Sequence, residues 1–380
     1  MSDQVLAKRL KDLRLSLGFK LNEAAEKLGF PFYQTLTQIE EGKREVKASE
    51  LQQFSKVYFQ SIPELLGLQA PFQYSNFVWR NPPEEVEKKQ VEAELIDYAK
   101  KYHKLEHLLG MATKWRKFKI RVDHDDVRTQ KNITELADSF RVHLSLGNRP
   151  ASVLPNVLEQ NHGVKILFHR LSDIGSGASN VHPEFGAIAV INADEVPWRR
   201  NYDLAHELFH LLTWEIFPPE DLKDPTYLKE IDKKADSFAS VLLLPEGEVR
   251  KSIDDHKDAK GKISFPDLID IALEFDVSTQ ALIYRIYNLG YITWEKAQEL
   301  IGDDELLSIN RERRRAARGT IPRSRRFDTL AIRCLSKGLI SRGKFAEITK
   351  IDRCDIDQFV EDYGLIEIEG KPFEIMDNRC

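Results

Sequence analysis

The pentapeptide His206-Glu207-Leu208-Phe209-His210 constrains the middle of this chain more tightly than any other stretch. Residues four apart share one face of a helix, so WRRNYDLAHELFHLL sets two imidazoles side by side above an apolar stripe of Leu204, Leu208 and Leu211. A second helical stretch, IDKKADSFASVLLLPEG, follows and is stopped by Pro245, with Asp232 and Asp236 again one turn apart. Two neutral imidazoles and one carboxylate form a donor set that zinc accepts while leaving its fourth position open to water. Such an ion brings the pKa of water toward neutrality, and Glu207 would then take the proton as the water attacks a polarised carbonyl. The second aspartate can receive the free N–H of a ligating histidine.

The pentapeptide alone would arise by chance in roughly one chain in fifty of this composition, so its surroundings must decide. Upstream, GVKILFHRL and FGAIAVIN are β-branched, apolar and bounded by Gly and Asn, and they read as strands. Strands followed by helices in separate blocks indicate an α+β domain.

The pieces GSGASN, AIAVIN, WRRNYDLAHELFHLL and KKADSFASVLLLP together resemble the ImmA/IrrE family of zinc metallopeptidases over approximately residues 150–300. The resemblance implies a gluzincin-like site in which His206 and His210 hold Zn2+ and Glu207 is the general base. Family members usually carry a glutamate three residues before the alanine of an A-D/N-x-F-A run, and Ala235 places that position at Asp232. Aspartate is one methylene shorter, so its helix must approach more closely. Glu230 is the alternative third ligand, pointing from a different side of the helix. Asp236 is expected behind a ligating histidine. Arg199 and Arg200 either bind a substrate carboxylate or simply flank the helix, the plainer reading. Tyr202, Tyr227 and His182 are candidates for supporting an oxyanion.

Residues 5–68 read as about five short helices punctuated by Gly18, Gly29 and Gly42. RLKDLRLSLG, AAEKLG, TLTQIEEGKR and ELLG resemble, in order and spacing, the Cro/repressor-like (XRE-type) helix-turn-helix domain. That resemblance assigns the major groove of double-stranded DNA to the third helix, through Gln34, Thr35, Thr37 and Gln38, with Lys43 and Arg44 just beyond it. Leu21 stands where the family usually has a phosphate-contacting glutamine. Residues 1–68 hold ten Lys/Arg and nine Asp/Glu, a net of +1. Phosphate contacts supply most of the affinity for DNA, so this balance predicts weak binding unless cations cluster or the protein dimerises; a helix-turn-helix used for protein contact is the alternative.

At 380 residues the chain exceeds one ordinary core. The expected organisation is multidomain: an all-α helix-turn-helix domain over 1–70, a helical linker over 71–150, and an α+β gluzincin-like metallopeptidase domain over 151–300. That last region includes a helix-turn-helix-like segment at 267–292 with Ser278 as N-cap. An Arg-rich linker and a small α-helical C-terminal region complete the chain over 301–380. Val91, Leu95, Tyr98, Tyr102, Leu105, Leu109 and Ala112 step by four and three, which describes either a coiled coil making a homodimer or a long helix laid on the peptidase domain. Between Arg311 and Arg326 eight arginines face one glutamate, a net of +7, which reads as a solvated or disordered linker or a polyanion-binding run.

Cys334, Cys354 and Cys380 show no C-x-x-C spacing and read as reduced thiols. No apolar run nears the roughly 20 residues that span a bilayer, and MSDQVLAKRLKDL lacks the core of a signal peptide, so a cytoplasmic location and no membrane partner are expected. The leading expectation is a zinc endopeptidase with a DNA-binding domain. The resemblance implies that it cuts a protein such as a repressor or antitoxin. The alternatives are a transcription regulator, or one half of a toxin-antitoxin pair, whose peptidase-like region is a non-catalytic sensor or scaffold.

Overall fold

The computed structural model describes residues 3–68, 77–82, 84–111, 118, 121–171, 175–317 and 322–364. It divides into one unit of residues 1–100 and 113–323 and another of 101–112 and 324–380.

The first unit opens with α1 (Asp3–Ser16), α2 (Leu21–Lys27), α3 (Tyr33–Glu40), α4 (Ala48–Val57) and α5 (Ile62–Leu65). Leu10, Leu36, Ile39 and Phe54 are fully buried between them. Gly18 and Gly42 take left-handed φ of 73° and 69° past α1 and α3, where a side chain would strain the turn. Inside this core Arg14 Nε and Nη2 donate to the two Glu40 oxygens at 2.7 and 3.0 Å, and Arg14 Nη1 donates to the Phe19 carbonyl at 2.9 Å. A buried ion pair is tolerated only with its remaining donors satisfied, as here.

Next come β1 (Val78–Arg80), α6 (Glu85–Leu108), α7 (Gln130–His143), α8 (Pro150–His162), β2 (Lys165–His169), β3 (Gly177–His182) and β4 (Gly186–Asn192). The sheet order is β1-β3-β4-β2. β3 and β4 form an antiparallel hairpin in register from Gly177↔Ile191 to His182↔Gly186, β2 lies parallel to β4, and β1 pairs antiparallel with β3 through Val78↔Ser179, Trp79↔Ala178 and Arg80↔Gly177. β4 is buried along its whole length, which explains its unbroken apolar run.

α9 (Pro197–Leu212) packs on β3 and β4, α10 (Pro225–Leu243) packs on α9, and α7 packs on α10. β1 and α7 thus contribute to this domain's sheet and core from within the segment read as a helical linker. A three-residue strand is too short to display alternation, so nothing in residues 78–80 announces it.

α11 (Glu246–His256), α12 (Phe265–Glu274), α13 (Thr279–Asn288), α14 (Trp294–Ile301) and α15 (Asp304–Ala317) follow. The Ser278 hydroxyl caps α13 by accepting from the Ala281 amide at 3.1 Å, and Leu282 and Ile286 turn that helix into the core. The Arg-rich run departs from the disordered reading. Arg311 to Arg315 lie on α15, where arginine, glutamate and leucine are good helix formers, and the Arg313 guanidinium stacks 4.2 Å from the Trp198 ring. Residues 318–321 of the run lie outside the described residues.

The second unit joins the last turns of α6 to α16 (Arg325–Ser336), α17 (Arg342–Thr349) and α18 (Ile356–Asp362). Tyr102 packs on Phe327 at 5.3 Å, and Arg326 is buried against Glu106. Leu95, Tyr102 and Leu105 of the heptad seam are buried within this chain, and Ala112 lies outside the described residues. Cys334 is buried and Cys354 exposed, both free thiols, and Cys380 lies outside the described residues. Among the described residues no helix is long and apolar enough to cross a membrane.

Candidate metal centre

α9 begins with Pro197 in its first turn, where a missing N–H costs nothing, and continues through nine consecutive buried residues from Asp203 to Leu211. Burial of both faces follows from its position between the sheet and α10. His206 and His210 retain only 0 % and 3 % of their surface. Their Nε2 atoms lie 3.2 Å apart, and Asp232 Oδ1 on α10 stands 3.6 Å from the first and 3.3 Å from the second. Neighbouring donors on a tetrahedral zinc ion, with bonds near 2.0–2.1 Å, are about 3.3 Å apart. The three atoms therefore fit a zinc-sized ion, and they are the one His/Cys/Asp/Glu cluster with such spacing among the described residues.

The electrostatics agree with this fit. Burial alone would depress the His206 imidazolium, but contacts with Asp232 and Asp236 outweigh it and raise the pKa to about 9. Burial acts on Asp232 in the opposite sense, yet the two imidazoles hold its carboxyl well below the usual range. The pocket favours positive charge, and Asp232 Oδ1 and His210 Nδ1 are buried without hydrogen-bond partners. A divalent cation would supply the positive charge and give Asp232 Oδ1 a partner, whereas His210 Nδ1 lies across the ring from the Nε2 that faces the cluster.

His206 Nδ1 meets Asp236 Oδ1 at 2.9 Å. With the proton on Nδ1, the Nε2 lone pair is left facing the cluster. Arg80, on β1, approaches Asp236 Oδ1 at 3.0 Å with Nη2 and Asp203 Oδ1 at 3.2 Å with Nη1. Asp203 lies one turn before His206, and burial pushes its carboxyl up to about 6 against the pull of Arg199 and Arg80.

Glu207 is 1 % exposed. The Ser179 hydroxyl of β3 donates to its Oε2, while Oε1 is buried without a hydrogen-bond partner. Gly177, two residues earlier on the strand, makes room for it: a Cβ there would lie 2.7 Å from Glu207 Oε1 and 3.0 Å from the Val190 carbonyl oxygen.

The other expected residues fall elsewhere. Glu230 pairs with Lys234 at 3.3 Å and lines a separate cavity of about 480 Å³ with His124, Phe217 and Tyr227. Arg199 Nε pairs with Asp203 at 3.2 Å, and Arg200 Nη1 reaches the Ala193 carbonyl at 3.4 Å, so both flank the helix. The Tyr202 hydroxyl donates to the Asp236 carbonyl at 2.8 Å. Tyr227 sits edge-on to Phe217, and His182 Nδ1 accepts from the Glu184 and Phe185 amides at the other end of β3 from Gly177. None of the three joins the donor cluster.

On α3, Gln34 and Gln38 are exposed and Thr35 and Thr37 half-buried, while Leu36 and Ile39 turn inward. Exposed Lys43 pairs with Glu41 at 2.7 Å, and Arg44 donates to both Glu50 oxygens at 3.1 and 2.8 Å. Both cations thus have internal carboxylate partners.

Residues 159–287 match the family model of the IrrE N-terminal-like domain, peptidase M78, and residues 10–65 match that of a helix-turn-helix. The chain carries an IrrE-like peptidase domain behind a helix-turn-helix DNA-binding domain. The matched peptidase segment contains α9, α10, β2, β3 and β4; β1 and Arg80 lie upstream of it. A solved structure described as a Mycobacterium tuberculosis transcriptional regulator aligns at a TM-score of 0.32 and 13 % identity, over 49 % of this chain and 51 % of that one. The chain thus spans about half the length of that structure. No curated protein matches it.

Arg80, Ser179 and Gly177 are the site residues that sequence reasoning passed over, although GSGASN contains the last two. Asp232→Ala is expected to weaken zinc binding by about 100-fold or more, whereas Glu230→Ala should leave it unchanged. Metal content after gel filtration, with titration against a chromophoric chelator, separates the two; loss of zinc in the Glu230 variant would reverse the assignment.

Proposed function

We propose that this protein is a cytoplasmic zinc-dependent endopeptidase with a DNA-binding domain, cleaving a regulatory protein such as a repressor or antitoxin. The observation behind this reading is the convergence of His206 Nε2, His210 Nε2 and Asp232 Oδ1, with Glu207 next to His206 on the same helix. Zinc, when bound, supplies Lewis acidity and a water acidified toward neutral pH.

The chain's own groups do the remaining work. Ser179 anchors one Glu207 oxygen and leaves the other without a partner, which suits a carboxylate that must accept a proton and hand it to a leaving amine. Asp236 fixes the His206 ring. Near-complete burial of both histidines and Glu207 excludes bulk water and strengthens every charge interaction among them.

A regulatory substrate is favoured by the pairing of this domain with a helix-turn-helix on one polypeptide, alongside the family resemblance. Gln34, Thr35, Thr37 and Gln38 of α3 are assigned to base edges, and Lys43 and Arg44 beyond its end to phosphates.

Glu207→Gln should keep its zinc and lose cleavage by about 10²–10⁴-fold, assayed against the products of neighbouring genes. Unchanged function in that variant would instead assign the domain to non-catalytic sensing. Gly177→Ala should lower kcat at least about tenfold with zinc content unchanged, because the added methyl displaces Glu207 and not the ligands. For DNA, Gln34→Ala or Gln38→Ala is expected to cost about 1–3 kcal/mol on the protein's own promoter and nothing on scrambled duplex. Lys43→Ala should weaken both and reduce the salt slope by about one. Fluorescence anisotropy over a salt series reads these effects.

A further inference from the structure

We infer that Arg80 is a positioning residue of the metal centre, holding Asp236 in place behind His206 and so setting the affinity for the ion. The inference rests on the metal-centre reading above. It adds a residue from outside the segment matched as a peptidase.

Asp236 needs such a hold. Its side chain is 40 % exposed, so water competes for the oxygen that must receive His206 Nδ1–H. A carboxylate turned to solvent would free the imidazole to rotate or change tautomer, and either would remove the Nε2 lone pair from the cluster. Arg80 prevents this from the far side. Its side chain is only 16 % exposed, and Nη2 reaches Asp236 Oδ1 at 3.0 Å and Oδ2 at 3.4 Å. One terminal nitrogen therefore spans both Asp236 oxygens while the other is held by Asp203, and the rigid plane that joins the two nitrogens fixes where the first can sit.

The same guanidinium spans two helices. Nη1 meets Asp203 on α9, three residues before His206, and Nη2 meets Asp236 on α10, four residues after Asp232. One rigid group therefore ties together the two helices whose side chains must converge. Arg199 shares only the Asp203 contact. That difference provides an internal control, because loss of Arg199 removes a comparable ion pair without touching Asp236.

The test compares Arg80→Met, Arg80→Lys, Arg199→Met and His206→Ala in the full chain, reading zinc affinity by chelator competition and fold by circular dichroism and apo-protein melting. Arg80→Met should bind zinc about 10–100-fold more weakly than the parent, with Arg80→Lys in between and Arg199→Met within about twofold of the parent. Parent-like affinity in Arg80→Met overturns the inference. So does an equal loss in Arg80→Met and Arg199→Met, which would place the effect on Asp203, or a lowered melting temperature with affinity unchanged, which would make Arg80 a structural staple. If Arg80→Met does not fold, Arg80→Lys decides alone, since one ammonium cannot hold Asp203 and Asp236 at once as the two guanidinium nitrogens do: weakened affinity supports positioning, and parent affinity overturns it. His206→Ala separates the two levels. Loss there beside a parent-like Arg80→Met leaves the metal centre standing and removes only Arg80, while parent-like binding in His206→Ala overturns both.

Discussion

Two imidazoles and a carboxylate meet in a site from which water is almost excluded, and the rest of the peptidase domain is arranged around that meeting. Left alone, such a cluster is costly: a buried acceptor without a partner costs about 1–3 kcal/mol, and a buried unpaired charge several more. A cation would offset the cost by giving all three donors one partner. The neighbouring elements keep the donors from escaping by other means. β3 supplies Ser179 for Glu207, so that Glu207 does not compete for the histidines, and β1 supplies Arg80 for Asp236. Tyr202 ties the Asp236 backbone to α9.

The short side chain of Asp232 bears on the packing of α9 against α10. A shorter donor would require a closer helix. α10 carries Ala235 and Ala239, both fully buried, in the same core as fully buried Ala205 of α9. Small side chains at a helix contact permit a short interaxial distance. Asp232 Oδ1 lies 3.6 and 3.3 Å from the two Nε2 atoms.

The parts of this arrangement that were legible in the sequence are the local ones. His206 and His210, and Asp232 and Asp236, are four apart, and helical geometry alone places each pair on one face. The strand GAIAVIN is visible because burial on both sides selects continuous apolar residues, and KILFH because its centre, Ile166 to Phe168, is apolar. Arg80 was not legible: it acts 123 residues from Asp203 and 156 from Asp236, from a strand of three residues, and no periodicity relates them. Gly177 and Ser179 stood in a noticed motif, but their roles appear only when β3 is laid beneath α9. The heptad steps of α6 were real as an apolar face and ambiguous as to partner, since periodicity reports that a face is buried and not what covers it.

β1 also bears on how the two matched domains are connected. Its Trp79 indole donates to Glu92 of α6 at 2.7 Å, and α6 is fastened to the helix-turn-helix by Lys100 with Glu64 at 2.9 Å, by Gln90 with Glu23 at 3.4 Å, and by Ala93, which is buried in that domain's core. A three-residue strand has too few ladder bonds to hold its own position, so its placement depends on the groups at its ends and sides. On one side that group is α6; on the other it is the carboxylate pair at the metal centre.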